Sequence, residues 1–82
     1  MALELYLTNT RITDDGLKHL ASLRNLRYLW LIGTDVTDTG LLHLIQLKNL
    51  QKLNLVGTKV TDEGISKLKR ELPNCQISMK SR

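Results

Sequence analysis

The chain has 82 residues, a net charge of +4 and 41% apolar residues, mostly leucine, with no phenylalanine. That length makes one small domain, below the size at which a single closed core is comfortably stable. A single cysteine, Cys75, excludes an internal disulfide; no apolar run is of membrane-spanning length, and the start MALELYLTNT lacks a signal peptide's basic region and cleavage site, so a reducing, cytoplasmic setting is favoured.

The first predicted element is a strand in which Leu3, Leu5 and Leu7 face a core and Glu4, Tyr6 and Thr8 face away. NTRITDDGL (9–17) then turns the chain into a helix whose Leu17, Leu20 and Leu23 fall at three-residue spacing on one face. RYLWLIG repeats the strand, with Leu29 and Leu31 inward. GTDVTDTGL (33–41) repeats the turn, and Leu41, Leu44 and Leu47 repeat the helix face. A third strand around LNL, the turn GTKVTDEGI (57–65) and a helix carrying Leu68 follow. Everything recurs at 24 residues, giving repeats of about 3–26, 27–50 and 51–74 in one domain over 1–82 with no internal boundary. LKRELPNC is one residue longer than the equivalent LIQLKNL; with Pro73 it marks the end of the array, and 75–82 is a closing segment. Strand, turn and helix repeated in this way predict a curved stack with parallel strands about 4.8 Å apart on the inner face.

The recurring threonine phrase has a structural cause. Turning from strand to helix leaves backbone groups without ladder partners, and burying them unpaired is costly. Inward hydroxyls at Thr10, Thr34 and Thr58 are expected to bond to their own turn and to the next repeat. Thr13, Thr37 and Thr61 are expected to cap the helices, and Asp14, Asp38 and Asp62 to favour their positive ends. Gly33, Gly57 and Asn9 suit a backbone position with positive φ, and Gly16, Gly40 and Gly64 suggest close packing of helix starts against adjacent coils. An Asp-rich metal loop or phosphate cradle is the weaker reading, because recurrence at the repeat period is already explained.

The phrase LxLxGTxVTDxGLxxLxxLxNL resembles the leucine-rich repeat, in the subclass of ribonuclease-inhibitor-like, cysteine-containing and many bacterial arrays. LPNCQIS looks like the closing half-repeat of bacterial members. The sequence departs from that pattern in having Thr10, Thr34 and Thr58 where Asn or Cys is usual, and in having no recognisable N-terminal cap, since Met1 and Ala2 lead directly into a strand. The fold class is therefore an α/β leucine-rich-repeat solenoid with a short parallel sheet on the concave face and helices on the convex face.

Function is expected where the repeats stop agreeing. Across the strands the outward residues form rungs: Glu4–Tyr28–Lys52, Tyr6–Trp30–Asn54 and Thr8–Ile32–Val56. Every aromatic residue lies in this patch, as amphipathic anchors of a protein interface do. Glu4, Tyr6, Tyr28, Trp30, Ile32, Lys52 and Asn54 are thus the candidate partner-binding residues, with Arg11, Arg27, Asp35, Gln51 and Lys59 as a polar rim. The plainer alternative is that aromatics simply suit strands.

Other chemistry has less support. His19 and His43 stand one repeat apart, but Lys67 takes that place in the third, so they read as surface residues and not metal ligands. No nucleophile–base or paired-carboxylate arrangement converges, so neither catalysis nor a cofactor is expected. Residues 51–82 hold seven Lys/Arg against three Asp/Glu, whereas residues 1–50 hold five of each; this weakly suggests an acidic partner near the C-terminal end. Nucleic-acid binding through Lys67, Lys69, Arg70, Lys80 and Arg82 together with the aromatics is the third reading and is not favoured, because charged helix surfaces are usually just solvated. Finally, the first repeat expects a predecessor, and Leu3, Leu5 and Leu7 form an open edge. An upstream array, a second copy or a different partner would cover it. The self-assembly reading is a building block, or a fragment of a longer array, that oligomerises through the aromatic patch and this open edge, with a homodimer formed by antiparallel pairing of two first strands.

Overall fold

The computed structural model describes residues 3–79; Lys80 and Arg82 of the basic group, and the starting residues Met1 and Ala2, lie outside them. Strands and helices alternate as β1 (Leu3–Tyr6), α1 (Asp14–Leu20), β2 (Leu26–Trp30), α2 (Asp38–Leu44), β3 (Lys52–Asn54), α3 (Asp62–Glu71) and β4 (Gln76–Ser78). The strands form one parallel sheet in sequence order. Pairings Leu5–Leu29–Leu53–Ile77 run straight across it, so the 24-residue period is the sheet register itself.

Leucines that alternate in the strands meet leucines of the helices in one core. Leu17, Leu26, Leu29, Leu31, Leu44, Leu47 and Leu55 are wholly buried, and Leu53 and Leu68 nearly so. The helices are shorter than leucine spacing suggests. α1 and α2 have seven residues each and stop at Leu20 and Leu44. Leu23 and Leu47 therefore belong to the following turn, where Leu47 is buried but Leu23 is 36% exposed.

The turn phrase is held locally by its first threonine. Thr10, Thr34 and Thr58 donate their hydroxyls to the carbonyls of Leu7, Leu31 and Leu55 at 2.7–2.8 Å. Those bonds close each unit's own turn; the link to the next repeat, expected of the same hydroxyls, is made by other groups. Positive φ at Asn9 (58°), Gly33 (71°) and Gly57 (77°) is the left-handed geometry this turn requires.

The aspartate supplies the link between units. Asp14 accepts from the Thr37 backbone N–H at 2.8 Å and from the Thr37 hydroxyl. Asp38 does the same to Thr61. The hydroxyl that donates to the carboxylate turns its lone pairs toward the helix, where Thr37 accepts from Thr39 N–H and Thr61 from Gly64 N–H. Thr13 receives no such carboxylate among the described residues, and it makes no side-chain cap bond. Gly40 and Gly64 complete the joint: a Cβ at either would fall on the carboxylate of Asp14 or Asp38. The T-D-x-G spelling thus couples one unit's Asp to the next unit's Thr and Gly.

The closing segment does more than end the array. α3 runs to 10 residues, and the extra residue before Cys75 is offset by one fewer between Cys75 and Ile77 than between Leu50 and Leu53, so Lys52 pairs with Gln76 and Asn54 with Ser78 and the sheet continues by a fourth strand. Cys75 fills an apolar place in the core beside Leu72.

Candidate functional site

Side chains alternate across a strand, so burying Leu5, Leu29 and Leu53 turns their neighbours to the solvent face of the sheet. The register pairs Glu4 with Tyr28 and Lys52, and Tyr6 with Trp30 and Asn54, as the rungs require. Backbone bonds from Leu7 to Trp30, Asn9 to Ile32 and Gly33 to Val56 carry the same register to Ile32 and Val56 beyond the strand ends.

Tyr6 and Trp30 stack with ring centroids 4.6 Å apart and planes 15° from parallel. Tyr28 tilts against Trp30 at 6.0 Å, and the Lys52 ammonium sits 5.9 Å from the Tyr28 ring. Mutual packing half-buries Tyr28 and Trp30, while Tyr6 at the edge stays 62% exposed. The rings are therefore ordered against one another before any partner arrives, which lowers the entropy lost on binding. Tyr6 also donates its hydroxyl to Glu4 at 2.9 Å, and that bond to a carboxylate raises the phenol above its ordinary pKa.

Past Trp30 the face becomes polar. A groove of about 180 Å³ is lined by Trp30, Lys52, Leu53, Asn54, Gln76 and Ser78. Gln76 and Ser78 were not among the residues singled out by sequence. The 24-residue shift carries Lys52 and Asn54 onto them, so the repeat period itself was a signal that could have found them. The rim is loosely held: Lys59 and Asp35 approach to 3.9 Å with both side chains mostly exposed, which is worth little in water.

The helical side carries different features. A larger groove of about 420 Å³ lies between α2 and α3, walled by Leu41, Leu42, Ile45 and Leu68, with Lys67 and Arg70 at its edge. Leu42 is 59% exposed. Charges of both signs edge this groove, because Glu63 and Glu71 also line it, and no aromatic anchor enters it. Lys67 and Arg70 of α3 line this helical-side groove, apart from the aromatic stack on the sheet. Cys75 is 8% exposed, and burial pushes its thiol up to about 11, away from the range of a reactive nucleophile. Among the described residues there is no group of three potential metal ligands.

The model of one family, the Leucine Rich repeat, matches residues 3–21 and 46–69, together just over half of the sequence. The chain belongs to the leucine-rich repeat family. The matched segments contain β1 with α1 and β3 with most of α3. Leucine-rich-repeat domains generally mediate protein–protein interaction and are typically non-enzymatic. No curated relative matches the sequence.

Proposed function

We propose that this leucine-rich-repeat domain recognises a protein partner through the solvent face of its sheet, with Tyr6, Tyr28 and Trp30 as anchors. The observation that carries this reading is the Tyr6–Trp30 stack: all the aromatic residues lie outside the core, on the strand positions where the repeats differ. Glu4, Ile32, Lys52 and Asn54 surround the rings and set which partner fits. The subclass we assign, ribonuclease-inhibitor-like, cysteine-containing and bacterial, and the repeat limits given above rest on the 24-residue spelling.

Self-assembly is the second reading, and a specific observation favours it. Leu3 is 42% exposed and β1 pairs only with β2 among the described residues. Two β1 edges pairing antiparallel about a two-fold axis would cover Leu3, Leu5 and Leu7.

Selection of random linear peptides from a display library against wild type, with counter-selection on Trp30→Ala, separates the readings when combined with solution mass. Recognition yields peptides that bind the monomer and are lost in the variant. Assembly yields a dimer mass that Leu3→Glu reduces to monomer. Absence of Trp30-dependent peptides would sink the first reading.

A further inference from the structure

We infer that the groove beside Trp30 receives a carboxylate side chain of the partner, making the recognised segment acidic at that point. This rests on the protein-recognition reading and names the partner's chemistry. The inference comes from counting donors and acceptors. Asn54 Oδ1 already accepts from the Val56 backbone N–H at 3.0 Å, which fixes the amide and leaves its two N–H donors for the groove. Lys52 contributes an ammonium with three donors, and it has no carboxylate within 4.0 Å among the described residues. Gln76 and Ser78, brought alongside by the β3–β4 register, add an amide and a hydroxyl. No carboxylate lines the groove, so its donors outnumber its acceptors and its charge is positive.

Glu4 does not cancel that charge. It lies two strands from Lys52 with Tyr28 between them, roughly 9.6 Å at normal strand spacing. That is about a Debye length at physiological salt, and Glu4 is engaged by the Tyr6 hydroxyl. The face is therefore polarised along the rungs, from Glu4 on β1 to Lys52 and its amide neighbours on β3 and β4. The Trp30 ring walls the groove on the side facing Tyr6, and it excludes water from one flank of any charge seated there. A carboxylate accepting from an ammonium and an amide makes charge-assisted bonds, the stronger kind.

Peptides selected on the wild type should be enriched in Asp or Glu. The best of them should lose affinity about tenfold on Lys52→Gln, the loss of one charge-assisted bond. Asn54→Asp is the sharper variant. It keeps the acceptor for Val56 N–H and replaces the groove's amide donors with a second anion, so acidic peptides should lose at least as much affinity. Replacing the peptide's acid by its amide should reproduce the Lys52→Gln loss in the wild type and add little in that variant. Trp30-dependent peptides with no acidic preference and no response to either variant would overturn the inference and leave recognition standing. Absence of Trp30-dependent peptides overturns both. A single-stranded oligonucleotide that binds more tightly and competes at Lys52 would overturn the carboxylate in favour of a phosphate backbone.

Discussion

The first and second strand–helix units are close copies in sequence but differ in burial. Leu29 and Leu31 of the second are wholly buried, whereas Leu5 and Leu7 in the same places of the first are partly buried. Thr34 is 2% exposed and Thr10 is exposed. Thr37 takes a carboxylate from the unit before it and caps its helix, while Thr13 does neither. The same residues therefore do different amounts of stabilising work, depending on whether a neighbour lies on one side or both. Stability in such a stack belongs to the interfaces between units as much as to the units.

The largest expected effect breaks that contrast at its core. Leu29→Ala should cost about 2–5 kcal/mol in urea denaturation, as for other wholly buried leucines, and leave a domain of this size mostly unfolded. Leu5→Ala should cost clearly less. Equal costs would mean that something covers the first unit in solution.

The joint between units comes next. Asp38→Ala should cost about 0.5–1.5 kcal/mol, the net worth of its bonds to the exposed Thr61 N–H and hydroxyl, which water can partly replace. Asp62→Ala should stay within about 0.5 kcal/mol, since that exposed carboxylate has no bond to a following unit among the described residues. In the Asp38→Ala background, Thr61→Val should still lose the cap on Gly64 N–H but cost less than in the wild type, and a double-mutant cycle measures that coupling. Fully additive costs would remove the joint.

The last effect is absent at neutral pH and lies just before the closing strand. Cys75 is raised from 9.0 to about 11 by burial, so the unfolded thiol ionises first and the unfolded state holds fewer protons across that window. This contribution is intact below about 9 and is lost as pH rises toward about 11. Native alkylation should correspondingly lag behind alkylation in urea. A Cys75→Ala variant with an unchanged alkaline slope would refute the assignment.

Much of this was legible in the sequence because it depends on period alone. Alternation placed Leu29 and Leu53 inside, and the 24-residue shift put Tyr6, Trp30 and Asn54 on one rung. What could not be read was the partner of each turn group. Asp14 sits at a helix start, where its own dipole is a sufficient reason for an acid, and nothing local points to Thr37 in the next unit. Leucines at three-residue spacing extended the helices too far, since Leu23 and Leu47 face inward from a turn as readily as from a helix. Gln76 and Ser78 lie one period beyond Lys52 and Asn54, but the irregular LKRELPNC spelling reads as the end of the array and so hides a fourth strand. The stacking of Tyr6 on Trp30 follows from the rung, but its effect on exposure depends on ring orientations that strand periodicity does not encode.

Native-state hydrogen exchange on dilute protein tests most directly whether stability resides in the joints between units. The Leu31 and Gly33 amides, bonded to Asn54 and Val56, should be protected well beyond those of Leu7 and Asn9, bonded to Trp30 and Ile32. Asp38→Ala should pull Leu31 and Gly33 down toward the level of the first pair. Equal protection in both units, unmoved by that substitution, would contradict it.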